Sequence, residues 1–384
     1  MRIVHFGTYS TAQGYPRNSV TARALESAGA TVIECRRDAW GDSKSRVKDA
    51  TSAVSAFARF ARLIWAWVSL SLQYLIKTPD HDIVIVGYPG HLDVFVAKLL
   101  ARIRSKPVAL DAFLSLYEAI VEDRELAKAG SIKARLLKTL DRAGTGAADM
   151  VLLDTAAHID YYSDVLEARP DKLTRVFVGA QEDYFHPPDP PPPVDDGEVL
   201  FFGSFLPLHG ADVIVEAARI LGDRPDVRIV MIGDGPEWEK CRRLDRGDNV
   251  TWERGWIDYR ALADRISRAG ICLGIFSKGP KAQRVLPCKI FNAMAMGKPL
   301  ITADTRAAAE ALVDGDNALL VPPGDPEALA GAILKLRNDP ELREKTAAAG
   351  LATFREKFSA KKIGEDLVAA LDEKLSALKR GVPK

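Results

Sequence analysis

The run HPPDPPPPVDDG at residues 186–197 constrains this chain more than any other feature. Proline fixes φ and offers no N–H, so a stretch this rich in it is neither helix interior nor central strand and reads as a stiff, extended spacer. A boundary between two folding units is expected there. Upstream, apolar β-rich runs at residues 3–7, 31–35, 83–88, 107–112, 150–154 and 176–179 alternate with helical patterns. Downstream the alternation resumes, with strands expected from Val199, Val227, Val250, Ile271, Pro299 and Ala318. Nearly continuous apolar strands separated by helices imply parallel sheets covered on both faces, with ligands at the carboxyl ends of the strands. The expected fold class is therefore α/β, with two doubly wound parallel-sheet domains facing across a cleft. Their expected limits are residues 1–185 and 198–360, with residues 361–384 as a closing helix.

A chain of 384 residues, 47% apolar and 27% charged, is long enough for two cores and has the balance of a soluble globular protein. The net charge of +1 argues against nucleic acid as a partner, so positive sites must be local. Cys35, Cys241, Cys272 and Cys288 show no paired metal-ligand spacing and read as reduced thiols of a cytosolic chain; no metal is expected. The first residues, MRIVHFG, run straight into a strand, so no signal peptide is expected there. The loop GTYSTAQGYPRN at residues 7–18 lacks the Gly-x-Gly-x-x-Gly spacing of a dinucleotide site, which counts against a dehydrogenase.

The chemistry concentrates in KAQRVLPCKIFNAMAMGKPLITAD, residues 281–304. Pro287 is placed to begin a helix, with Ile290, Phe291 and Met294 on its buried face and a Gly-Lys-Pro turn leading into a strand. Amide groups at a helix start carry positive partial charge. Lys281, Arg284 and Lys289 around that start are expected to make charge-assisted hydrogen bonds to a diphosphate; the plainer reading is a solvated basic loop.

This block, with FFGSFLPLHG at residues 201–210, MIGDGP at 231–236 and ALLVPPGDPEALA at 318–330, resembles family four glycosyltransferases, which share the two-domain, Rossmann-like GT-B fold. The four motifs stand in the right order across nearly the whole C-terminal half. The resemblance implies a nucleotide-sugar donor without a cofactor, a hydroxyl acceptor on a carbohydrate or lipid, and transfer with retention of configuration. It places Gly203, His209 and Gly210 at the phosphates, with His209 where the family usually has lysine. Gly235 belongs to a turn that shapes the cleft wall. Trp256 and Ile257 fall where the family's backbone meets the nucleobase. Two family glutamates hold the transferred sugar and the ribose; here Arg284 and Asn292 stand in their places. Asn292 retains ribose hydrogen bonding, Arg284 adds a phosphate fork, and Glu310 is the nearby acid available for the sugar, against a plainer role as helix-terminal charge.

In the N-terminal half Arg17 and Asn18 start a helix and face a phosphate or acceptor, or serve as turn and cap residues. His91 follows the third strand. Asp111 ends a buried strand, where an acid is costly unless partnered or used, and is the leading catalytic candidate, with His91 next. Residues 53–77 form an apolar helix carrying Trp65, Trp67 and Tyr74, with a polar stripe at Ser55, Arg59, Arg62, Ala66, Ser69, Gln73 and Lys77. Its charge-free part is shorter than the roughly 20 residues a span needs. Two readings stand: a core helix with its stripe in solvent, or a helix lying in an anionic membrane surface with Lys44, Arg46, Lys48, Arg59 and Arg62 beside it. The expected activity is sugar transfer in surface polysaccharide or glycolipid synthesis, in the cytoplasm or on the inner membrane face. A nucleotide-sugar epimerase of the same fold and a non-catalytic nucleotide-sugar-binding subunit are the alternatives.

Overall fold

The computed structural model describes residues 1–11, 16–38, 53–222, 224–245 and 247–381. The expectations on Lys44, Arg46, Lys48, the side chain of Arg59 and the middle of loop 7–18 lie outside the described residues. Strands β1 (Arg2–Gly7), β2 (Thr31–Arg36), β3 (Ile83–Val86), β4 (Val108–Asp111), β5 (Met150–Leu153) and β6 (Leu173–Arg175) make one six-stranded sheet in the order β2-β1-β3-β4-β5-β6. A second six-stranded sheet has the order β12-β11-β10-β7-β8-β9, built from β7 (Asp195–Gly203), β8 (Arg228–Gly233), β9 (Val250–Arg254), β10 (Ala269–Leu273), β11 (Leu300–Ala303) and β12 (Leu319–Val321). The paired strands run parallel, as in β1 with β2 and β3 and in β7 with β8 and β10.

The strand sequences explain the layers. In β3, the run IVIV sends Val84 and Val86 to a core shared with Val4, Phe6, Leu70 and Tyr74, and Ile83 and Ile85 to one shared with Ile3, Leu25, Leu367 and Leu371. Both faces are thus sealed, each side chain contributing roughly 1.5–3 kcal/mol when fully buried. The second sheet repeats the pattern, with Val199 and Phe201 on one face of β7 and Leu200 and Phe202 on the other. Part of the N-terminal core comes from the far end of the chain: the helix Ala360–Lys379 inserts Ile363, Leu367 and Leu371 beside Ala24 and Leu25 of the helix Pro16–Ser27. A Cβ on Gly364 would lie 1.8 Å from the Ala24 carbonyl oxygen, so only glycine lets these two helices meet.

One strand differs from expectation. Residues 176–179 are not a strand; β6 ends at Arg175, and the Val176 and Phe177 carbonyls accept hydrogen bonds from Arg17 Nη1 at 2.8 and 3.0 Å. A guanidinium has taken carbonyls that a neighbouring strand would use. The helix Ala53–Leu72 differs too. Ala66, Leu70 and Tyr74 face inward, while Ser69 and Gln73 of the polar stripe bond Arg37 and the Glu34 carbonyl. The apolar arc of Phe60, Ile64, Trp65, Val68, Leu72 and Ile76 faces out. The core-helix reading with its stripe in solvent is therefore corrected: Ala66, Ser69 and Gln73 of the stripe border the protein, while Arg62 and Lys77 are exposed. Among the described residues no helix is long and apolar enough to cross a membrane.

Strand order reverses beside β1 and β3 in the first sheet and beside β7 and β10 in the second. In open parallel sheets the crevice outside the carboxyl ends at such a reversal receives ligands. The loops after β7 and β10 carry Gly203 to Gly210 and Lys281 to Pro287, the segments with the greatest density of expected site residues.

Candidate functional site

β7 delivers Gly203 to the mouth of the second sheet, and the short helix Cys288–Ala295, capped by Pro287, brings Lys289 to the same place. A Cβ on Gly203 would lie 2.9 Å from Lys289 Nζ and 3.0 Å from His209 Cε1, so the absent side chain makes room for both side chains. Lys289 Nζ stands 3.8 Å from the Phe201 ring centroid, and the His209 ring packs edge-on against the same phenyl. Neither Lys289 Nζ nor His209 Nδ1 has a hydrogen-bond partner among the described residues, although both are buried. Burial pulls Lys289 well below the usual lysine range. Burial first, then the Lys289 and Lys281 charges, pull His209 well below its ordinary value. Two buried nitrogens thus face Gly203 beside the start of a helix, each with unused hydrogen-bonding capacity.

The surrounding glycines shape this pocket through backbone contact. Gly210, at φ +61°, lies so close to Phe276 and Ser277 that a Cβ would be 2.5 Å from the Ser277 nitrogen. Gly235 touches the loop indirectly: its Cβ would meet the Ser204 carbonyl oxygen at 1.7 Å. Trp256 is largely exposed beyond the carboxyl end of β9, and Ile257 packs against the core that includes Tyr259 and Leu262. Asn292 is buried on the same short helix as Lys289.

Four expected roles change. Arg284 is not a phosphate fork: its Nε donates to Glu118 at 2.8 Å, its Nη2 to Glu122 at 2.6 Å, and the guanidinium lies 4.1 Å from the Tyr161 ring centroid. Glu310 does not take the sugar-holding place. Its carboxylate accepts from the Ala156 and Ala157 amides at 2.8 and 3.0 Å and pairs with Arg175, capping a helix of the opposite domain where the dipole favours an anion. Asp111 is fully buried against Arg17, whose Nε is 3.1 and 2.8 Å from its two oxygens, so it is not an open catalytic acid. Burial raises its pKa, against the opposing pull of Arg17. Arg17 keeps a spare donor: its buried Nη2 has no hydrogen-bond partner among the described residues. His91 holds the loop after β4: its Nε2 meets the Leu114 carbonyl at 2.8 Å, and burial lowers its pKa. Asn18 ties the loop after β1 to the loop after β3 through Ser10 and Tyr88.

A buried ionic cluster beside the pocket was not foreseen. His158 Nδ1 lies 2.5 Å from Asp154 and its Nε2 3.0 Å from Glu118. Burial alone would lower His158, but the Asp154 and Glu118 charges overcome it and push it up to about 10. Burial likewise raises Glu118, and the His158, Lys281 and Arg284 charges reverse this and bring it down to about 2. Tyr161 donates to Glu122 at 3.0 Å, and Lys281 Nζ lies 3.5 Å from Asp123. The Asp154–His158 spacing at a helix start and the acidic run EAIVED were the available signals. Among the described residues no group of three or more His, Cys, Asp or Glu is placed to hold a metal ion.

Residues 196–339 match the family described as glycosyl transferases group 1. The lipopolysaccharide core biosynthesis glycosyltransferase LpsD of Rhizobium meliloti is 28% identical over 60% of this chain and 68% of its own length. The chain spans about half the length of other curated relatives it matches. Sucrose-phosphate synthase from Thermosynechococcus elongatus superposes with a TM-score of 0.70 at 19% identity, covering 98% of this chain and 99% of that one. HepE of Anabaena, in complex with UDP-glucose, superposes with a TM-score of 0.68 at 15% identity, covering 97% of this chain and 100% of that one.

Proposed function

We propose that this chain, whose residues 196–339 match the group 1 glycosyltransferases and whose architecture is that of the GT-B fold, moves a sugar from a nucleoside diphosphate to a hydroxyl acceptor with retention of configuration, in surface polysaccharide or glycolipid synthesis. The observation that carries the reading is the pair of buried, unpartnered nitrogens of Lys289 and His209 facing Gly203. A diphosphate oxygen set there completes both hydrogen bonds. Charge developing on the leaving diphosphate is then met by Lys289, His209 and the helix start, all fixed before reaction. This proposal requires no metal, and turnover is expected to survive chelation. Arg17, aimed by Asp111, is a group on the opposite domain with donor capacity left for substrate. HepE was solved with UDP-glucose, which makes UDP a first probe.

The test is calorimetric titration with UDP, GDP and ADP, followed by donor hydrolysis without acceptor. Lys289→Ala should weaken the tightest-binding diphosphate by about tenfold or more, since a charge-assisted hydrogen bond contributes about 1.5–3 kcal/mol. Equal affinity in the variant would remove the site assignment, and binding without any turnover would favour the non-catalytic subunit.

The outward apolar arc supports a further part of the reading, peripheral attachment to an anionic membrane face through residues 53–77. A second helix, Asp93–Ile103, touches the first and exposes Phe95, Leu99 and Ile103. The acid on these two helices is Asp93, which is buried and bonded to Thr8 and Trp67, while Arg62, Lys77 and Arg102 are exposed. An apolar face free of exposed carboxylates and flanked by cations fits anionic lipid, and with it a lipid-linked acceptor.

A further inference from the structure

We propose that Glu118, Glu122 and Asp123 are positioning residues for the opposite domain: their carboxylates seize Arg284 and Lys281 and thereby hold the segment 281–289, and Lys289 with it, in its ligand-binding place. The three acids lie on one wide helical turn, Glu118–Asp123, of the N-terminal domain. The two cations precede Pro287 in the C-terminal domain, on the loop that leads directly into the helix bearing Lys289.

The geometry is specific to charge and shape. Arg284 meets two different carboxylates with two different nitrogens, and its flat face rests on Tyr161, which itself donates to Glu122. A lysine could not reproduce that fork. Behind it, His158 holds the second oxygen of Glu118, and Thr155 Oγ1 donates to the Arg284 carbonyl at 2.5 Å. Glu118 and His158 are fully enclosed, so neither can exchange its partner for water. Lys281 is held more loosely, 3.5 Å from Asp123, whose Oδ2 has no hydrogen-bond partner among the described residues. Lys281 also adds its charge to His209, which places it within electrostatic reach of the anion pocket. Arg284 is thus the fixed point of the contact, and Lys281 is the member able to turn from Asp123 to an incoming phosphate. The role assigned to these residues rests on the donor site proposed above; the contact itself rests on the distances alone.

The test uses the full chain with Glu122→Gln, Arg284→Gln, and the double variant Glu122→Gln with Arg284→Gln, each checked for folding by circular dichroism. Small-angle scattering reads domain closure without any ligand, and titration with UDP, GDP and ADP reads the pocket. Both single variants should enlarge the particle and weaken diphosphate binding at least about tenfold. The double variant should lose no more affinity than Arg284→Gln alone, because both residues act through one contact, which two unrelated structural losses would not show. Wild-type dimensions in both single variants, or additive losses in the double variant, would overturn the proposal. If no diphosphate binds even the wild-type chain, the donor assignment fails, whereas scattering still decides the contact.

Discussion

Lys289 and His209 would meet an anion from a desolvated starting point. Burial pulls both below their ordinary values in the unliganded protein, so each favours its neutral form more than an exposed side chain would. A phosphate beside them favours the charged forms and raises both pKa values in the complex. Binding must then take up protons, and by linkage affinity must fall as pH rises. Titration of the wild-type chain in buffers of different ionisation enthalpy should give a buffer-dependent heat of the sign for uptake, largely lost in Lys289→Ala. A heat independent of buffer would refute this. The place of Lys289 at a helix start was legible in the sequence because its context is local: a proline, a helix start and a following strand. The fates of Asp111 and Arg284 were not, because their partners lie 94 and 166 residues away. Sequence marks a charge as costly to bury, but only the fold says which countercharge meets it.

At the scale of elements, what repeats with a short period could be read. The four residues of β3, all apolar, declare a strand buried on both faces; β6, whose LTR is only partly buried at the sheet edge, declares nothing, and the expected strand fell on 176–179 instead. The helix at 53–77 shows the same limit. Its apolar arc and polar stripe were visible, but which of them faced the protein depended on Arg37 and Glu34 across the gap. With the arc facing out, flotation should separate two outcomes. Vesicles with anionic lipid should carry the chain in a salt-sensitive way, because each basic residue near such a surface contributes about 1 kcal/mol. Arg62→Glu should weaken flotation on anionic vesicles, and Trp65→Ser should weaken it on every composition. A chain that floats with none of them has no membrane face at this helix.

At the scale of the whole molecule, the two domains are joined by more than the proline spacer. The Phe177, Phe291 and Phe358 rings pack together across the junction, and the ionic cluster centred on Glu118 spans the cleft. That cluster should give stability a definite pH window. His158 is raised from 6.5 to about 10, so its contribution is complete below about 6.5 and is lost as pH climbs through 10. Glu118 is depressed from 4.5 to about 2, so its contribution is complete above about 4.5 and is lost as pH falls through 2. The two shifts describe one interaction and are not summed. Its full strength lies between about pH 4.5 and 6.5. Removing one partner of a buried pair costs about 3–5 kcal/mol. His158→Gln should therefore unfold at a lower urea midpoint than wild type at pH 6, and the difference should shrink steadily toward pH 10, because the wild-type chain loses there what the variant never had. Midpoints that stay equally far apart from pH 6 to 10 would mean that His158 is not held protonated between Asp154 and Glu118.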